Sequence, residues 1–113
     1  MVEEKSFRFA IRIVKLYRHL TKTRNEFVLS KQLLRSGTAI GANIAEAEQA
    51  QSKADFISKM SIALKEATES DYWIRLLYAA EYLKKREFET IRADCVELEK
   101  LLTAIIQTSK SNP

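Results

Sequence analysis

Apolar residues recur every three to four positions along most of the chain, and short polar clusters break the pattern into four blocks. From about Glu3 to Lys22, Phe9, Ala10, Ile13, Val14, Leu16, Tyr17 and Leu20 gather on one side at 100° per residue. Lys5, Arg8, Arg12, Lys15, His19 and Lys22 gather on the other. This spacing predicts a first helix that packs on one face and meets water or a partner on the other. The cluster TKTRNE interrupts it, with Asn25 suited to cap a second helix. That second helix is predicted over roughly Glu26 to Gln51, its stripe marked by Leu29, Leu33, Ile40, Ile44 and Ala47. Ser52, with Asp55 three residues on, resembles a capping box and opens a third helix from Lys53 to about Lys84. The third helix carries the stripe Phe56, Met60, Ala63, Leu64, Ala67, Ile74 and Tyr78. A second set, Trp73, Leu77 and Ala80, lies well round from it. Either this set meets a neighbouring subunit, or it lies under the fourth helix or the chain ends. After KKREFE, a fourth helix from about Glu87 to Thr108 presents Ile91, Cys95, Leu98, Leu102 and Ile105.

Four amphipathic helices joined by short connections predict an all-α fold, an antiparallel up-down-up-down four-helix bundle. Residues 1–108 form one domain in this reading, and residues 109–113 are expected to fray. Two glycines and one proline in 113 residues leave little punctuation for hairpins. The lone Cys95 excludes an intrachain disulfide, which suits a reducing compartment. The start MVEEKSFRFAIRIV lacks the plan of a signal peptide, and no run reaches the ~18 apolar residues of a membrane span. A cytoplasmic location is expected.

Charge sharpens the picture of the first helix. The chain is +4, but residues 1–24 hold seven cations against two acids, +5, which leaves −1 for the rest. An anionic partner should therefore prefer the face of Lys5, Arg8, Arg12, Lys15, His19 and Lys22. An ordinary solvated face is the alternative. The stripe has no exposed aromatics to stack on unpaired bases, so nucleic acid would be held by its backbone.

Both glycines fall within RSGTAIGANIAEAEQAQS, residues 35–52. Gly37, Gly41 and Ala45 are four apart and share one stripe of the second helix, where missing side chains let another helix approach closely. They serve packing within the chain, a seam between subunits, or a bend. Asn43 and Glu46 lie close to the apolar stripe, as do Ser70 and Asp71 on the third helix. A polar network joining Arg35, Asn43, Glu46, Ser70 and Asp71 would fix helix register. Catalytic chemistry is thin. Cys95 and His19 cannot make a zinc site in one chain, and neither glycine belongs to a phosphate-cradling loop. No metal or cofactor is expected.

Gln32, Leu33 and Arg35, the segment IGANIAE at 40–46, Asp55-Phe56-Ile57 and IALKEA at 62–67 together resemble the signature region of bacterial 23S ribosomal RNA intervening-sequence proteins. The resemblance is close over residues 29–83. It implies an up-down four-helix bundle, commonly a homopentamer around a central channel, and an association with RNA or a ribonucleoprotein. No catalytic residues come with it.

Three functions stand as expectations. The first is a non-enzymatic oligomeric scaffold binding RNA or a ribonucleoprotein through the first helix. A protein-protein adaptor would instead use Trp73, Leu77 and Ala80. A remote third is an RNase, in which Arg12 steadies phosphorane charge and His19 moves a proton.

Overall fold

The computed structural model describes residues 1–112 and contains four helices: α1 (Val2–Lys22), α2 (Leu29–Ala47), α3 (Lys53–Ala79) and α4 (Lys85–Ser111). Each packs against its neighbours in the chain, α1 also closes against α4, and the backbones of the diagonal pairs stay apart. Cross-helix pairs run in opposite senses along the chain. Gly37 and Gly41 face Ile13 and Ser6. Ser36 and Glu46 meet Ser70 and Lys59, while Ala67 and Asp71 meet Cys95 and Arg92. Lys5 and Arg12 meet Glu97 and Asp94. Every neighbouring pair is therefore antiparallel, and the molecule is an up-down-up-down rod measuring 50 × 21 × 19 Å. No described helix is long and apolar enough to cross a membrane.

The core follows the helical period. Phe9, Ile13, Leu16 and Leu20 of α1 bury with Leu33, Ile40 and Ile44 of α2. Met60, Ala67, Ile74 and Leu77 of α3 and Ile91, Cys95, Leu98 and Leu102 of α4 complete it. Each fully buried large aliphatic contributes about 1.5–3 kcal/mol of transfer free energy.

The glycines show how α1 and α2 fit. A Cβ at Gly37 would lie 2.9 Å from Ile13 Cγ1, and one at Gly41 would lie 3.3 Å from Ser6 Oγ. Neither glycine has a positive φ, so their use here is close approach. Ala45 does not share it, because that position is exposed on the outer side of α2.

Several boundaries differ from the sequence pattern. Asn25 takes a left-handed φ of 54° and caps nothing; Glu26 does that work. Its carboxylate, on a residue only 7% exposed, accepts from the backbone N–H groups of Val28, Leu29 and Ser30 at 3.1, 2.9 and 2.6 Å. The second helix consequently starts at Leu29 and ends at Ala47. The third ends at Ala79 because Glu81, at φ 70°, turns the chain left-handed. Hydrogen bonds from Tyr82 N–H to Leu77 O and from Glu81 N–H to Tyr78 O complete a Schellman turn without glycine. At α3's start Ser52 Oγ accepts from Asp55 N–H at 3.0 Å, while Asp55 reaches back to Gln51 N–H. The fourth helix continues through Ser111, so residues 109–111 are helical; Pro113 lies outside the described residues.

Candidate nucleic-acid interface

The polar side of α1 divides in two. Towards its start the cations are paired: Lys5 Nζ sits 3.2 Å from Glu97, and Arg12 Nη1 sits 2.9 Å from Asp94 while also bonding Thr90. Arg8 pairs with Glu4 on its own helix. Beyond Arg12 the pairing stops. Lys15, Arg18, His19 and Lys22 are exposed, and among the described residues none has a carboxylate within ion-pair distance. The predicted face of six is thus split, with Lys5, Arg8 and Arg12 neutralised and Lys15, His19 and Lys22 free.

The free half leads to one end of the rod. There the α1–α2 connection, residues 23–28, lies beside the α3–α4 connection, residues 80–84, because alternate connections of an up-down bundle share an end. Arg24 fastens the two, donating to the carbonyls of Tyr82 and Glu81 at 3.0 Å each with its guanidinium over the Tyr82 ring. Residues 15–31 and 76–90 compose this end and hold eight cations against four acids. That difference is the entire +4 of the chain, and the remainder is neutral. Lys84, Lys85 and Arg86 belong to it although the helical pattern did not single them out. The topology was the missing signal, since KKREFE is remote from the first helix in sequence.

The connection itself is firmly held. Glu26 N–H donates to Leu20 O at 3.0 Å, and Ser30 Oγ donates to Glu26 O at 2.8 Å. Burial works against the Glu26 carboxylate, yet the N–H groups of Leu29, Ser30 and Val28 together outweigh it and hold the carboxyl below its ordinary value. Between Glu26 and α2 stand Phe27, 58% exposed, and Val28, also open to solvent.

The expected five-residue polar network does not form. Arg35 pairs with Glu69 at 3.2 Å, Asn43 donates to the Ala39 carbonyl at 2.8 Å, and Glu46 pairs with Lys59 at 3.0 Å. The Ser70 hydroxyl lies within hydrogen-bond distance of both the Ser36 hydroxyl and the Glu66 carbonyl, at 2.9 and 2.8 Å. Asp71 pairs with Arg75 and Arg92 at 3.1 and 2.9 Å. Arg35 and Glu46 lie about 16 Å apart along α2 and Asp71 turns to Arg92 of α4, so the five cannot converge and register is marked by separate pairs. Burial, then a hydrogen bond with Glu69, pushes the Glu66 carboxyl up. Asp71, Cys95 and Glu99 bring three ligand-type atoms within 4.8 Å of one another. Both Asp71 oxygens are occupied by arginines, and Cys95 donates to Ala67 O, with burial pushing its thiol pKa up. Two guanidinium charges at this spot oppose a cation.

The expected surface of Trp73, Leu77 and Ala80 also fails as a set. Leu77 is 0% exposed inside the bundle and Trp73 is half-buried, whereas Ala80 is exposed at the helix end. Trp73 follows by one turn Glu69 and Ser70, which pair with Arg35 and Ser36, and so lies along the α2-facing side of α3. The second apolar stripe exists because α3 packs against α2 as well as α4. Arg12 and His19 do line one groove of about 190 Å³ with Lys15 and Glu87, but Arg12 is committed to Asp94 and Thr90.

Fold and charge together define an antiparallel four-helix bundle with a neutral body and one basic end. The model of the 23S rRNA-intervening sequence protein family matches residues 1–104, and the chain belongs to that family. It is similar to a protein of unknown function from the S23 ribosomal protein family of Bacteroides thetaiotaomicron. The two share 57% identity at a TM-score of 0.93, over 94% of this chain and 98% of the other. Comparison with curated proteins gives no match.

Proposed function

We propose that this protein is a non-enzymatic, cytoplasmic, homo-oligomeric scaffold that associates with RNA or a ribonucleoprotein through the basic side of α1. The observation that carries this reading is the unpaired run Lys15, Arg18, His19 and Lys22, a field that no carboxylate in contact among the described residues cancels. Membership of a family named for a ribosomal RNA insertion supports the choice of RNA as the anion. Binding of this kind releases counterions and weakens steeply with salt. Anisotropy titrations of the intact protein with a labelled structured RNA, at about 50 and about 200 mM salt, should show affinity falling at least tenfold. A wild-type protein that binds no RNA at the lower salt would refute the reading.

Assembly belongs to the same proposal. Phe7 is 67% exposed and Ile11 43% exposed on the outer side of α1, one turn apart, where they add nothing to the core. A second copy would cover them, and the five-membered ring implied by the family resemblance would repeat the basic field around its circumference. Phe7→Glu with Ile11→Glu should reduce the mass measured by light scattering to that of one chain. A wild-type protein already monomeric at high concentration removes the ring.

A further inference from the structure

We infer that the RNA-binding locus is the basic end of the rod, centred on Phe27, and that it takes an unpaired RNA segment in preference to a duplex. This rests on the RNA reading above and deepens it. The first support is electrostatic: all of the net charge lies at this end, and Lys22, Lys31, Lys84, Lys85 and Arg86 surround it without a carboxylate in contact among the described residues. The last turn of α1, the first turns of α2 and α4 and the α3–α4 connection contribute them, so the cations form a patch wider than one helix face. Such a patch follows a phosphate backbone.

The second support is the aromatic ring within that patch. Phe27 is exposed, stacks on no other ring among the described residues, and does not belong to the core. Its neighbours are fixed. Glu26 is bound to Leu20, Val28, Leu29 and Ser30, and Arg24 ties the same connection to the carbonyls of Glu81 and Tyr82. A ring presented on an anchored turn loses little conformational freedom when a base stacks on it. Bases within a duplex offer it no free face, whereas a looped or single strand does. Phe7, the exposed aromatic of α1, lies among the paired cations near the start of that helix, so the unpaired cations gain their exposed ring from the connection at its C-terminal end.

The test compares a labelled single-stranded oligoribonucleotide with a duplex of the same length, using the full chain and its variants, with helical content and oligomer mass recorded for each. Wild type should prefer the single strand. Phe27→Ala should weaken single-strand binding roughly tenfold and leave duplex binding unchanged, with Phe27→Tyr restoring it. Lys84→Glu with Lys85→Glu should weaken both ligands and flatten the salt dependence. If RNA still binds but ignores these substitutions and responds to Arg8→Glu with Arg12→Glu, the locus is wrong while RNA association stands. A wild type that binds no RNA defeats both. A change of oligomer mass in Phe27→Ala would mean that a second copy covers the ring, and would overturn the assignment.

Discussion

Helix α1 meets its two neighbours by opposite means. Towards α2 it has glycines opposite it, no ion pair among the described residues crosses the seam, and Ile13 fits where a Cβ at Gly37 would stand. Towards α4 it is held at the rim by Lys5–Glu97 and Arg12–Asp94, both partly exposed. Long charged side chains need room between helix axes, and glycine removes it. Close approach on one side and spaced pairing on the other therefore follow from which residues face each way. The first seam carries packing energy; the second chiefly cancels charge.

Substitutions can break this contrast, beginning with the most disruptive. Gly37→Leu has no space against Ile13 and should cost about 3 kcal/mol or prevent folding, measured by denaturant unfolding. Glu26→Ala, which orphans three N–H groups at the start of α2, should cost about 2 kcal/mol. Because the folded Glu26 pKa is lowered, its stabilisation is present above the ordinary carboxylate pKa of about 4.3 and is lost as pH falls through the folded value. Glu26→Gln should accordingly flatten the acid limb of a plot of stability against pH. At Gly37, alanine gains about 1 kcal/mol of helix propensity but meets Ile13 at 2.9 Å, so Gly37→Ala should still destabilise by about 1 kcal/mol. Lys5→Ala with Arg12→Ala should cost under about 1 kcal/mol in total, and less in high salt. Gly41→Ala meets Ser6 Oγ at 3.3 Å, and a small shift of the serine offsets the propensity gain, leaving stability within about 0.5 kcal/mol of wild type. Equal costs for the two glycine-to-alanine changes would contradict the assigned difference in fit, and a large loss from the Lys5 and Arg12 pair would show that the α4 seam carries more than charge.

The periodicity of the sequence located all four helices because each buries a stripe at regular intervals. Ends were harder to read where the capping chemistry was unusual. Glu26 reaches forward to cap α2 while Asn25, the conventional cap, is spent on a left-handed turn. Glu81 does the work normally signalled by glycine, at a conformational cost of about 1–2 kcal/mol for a residue with a Cβ. The basic face was legible as a stripe, but its partial neutralisation was not. Whether Lys5 and Arg12 are free depends on Glu97 and Asp94, some eighty to ninety residues away in the chain, and on the side from which α4 docks. The small-residue spacing pointed to close packing, yet it could not tell that Gly37 and Gly41 face α1 while Ala45 has turned away from it.

The alternation of direction has a practical consequence. Val2 and Ser111 begin and end the first and last helices at the end of the rod opposite Phe27, with the length of α1, about 30 Å at 1.5 Å per residue, between Val2 and the basic end. A fluorophore, affinity handle or surface linker attached near either of them leaves the cationic tip facing solution. Tethered in that orientation, the protein would turn the proposed RNA site into the flow, and a label at the far end would report on it without blocking it.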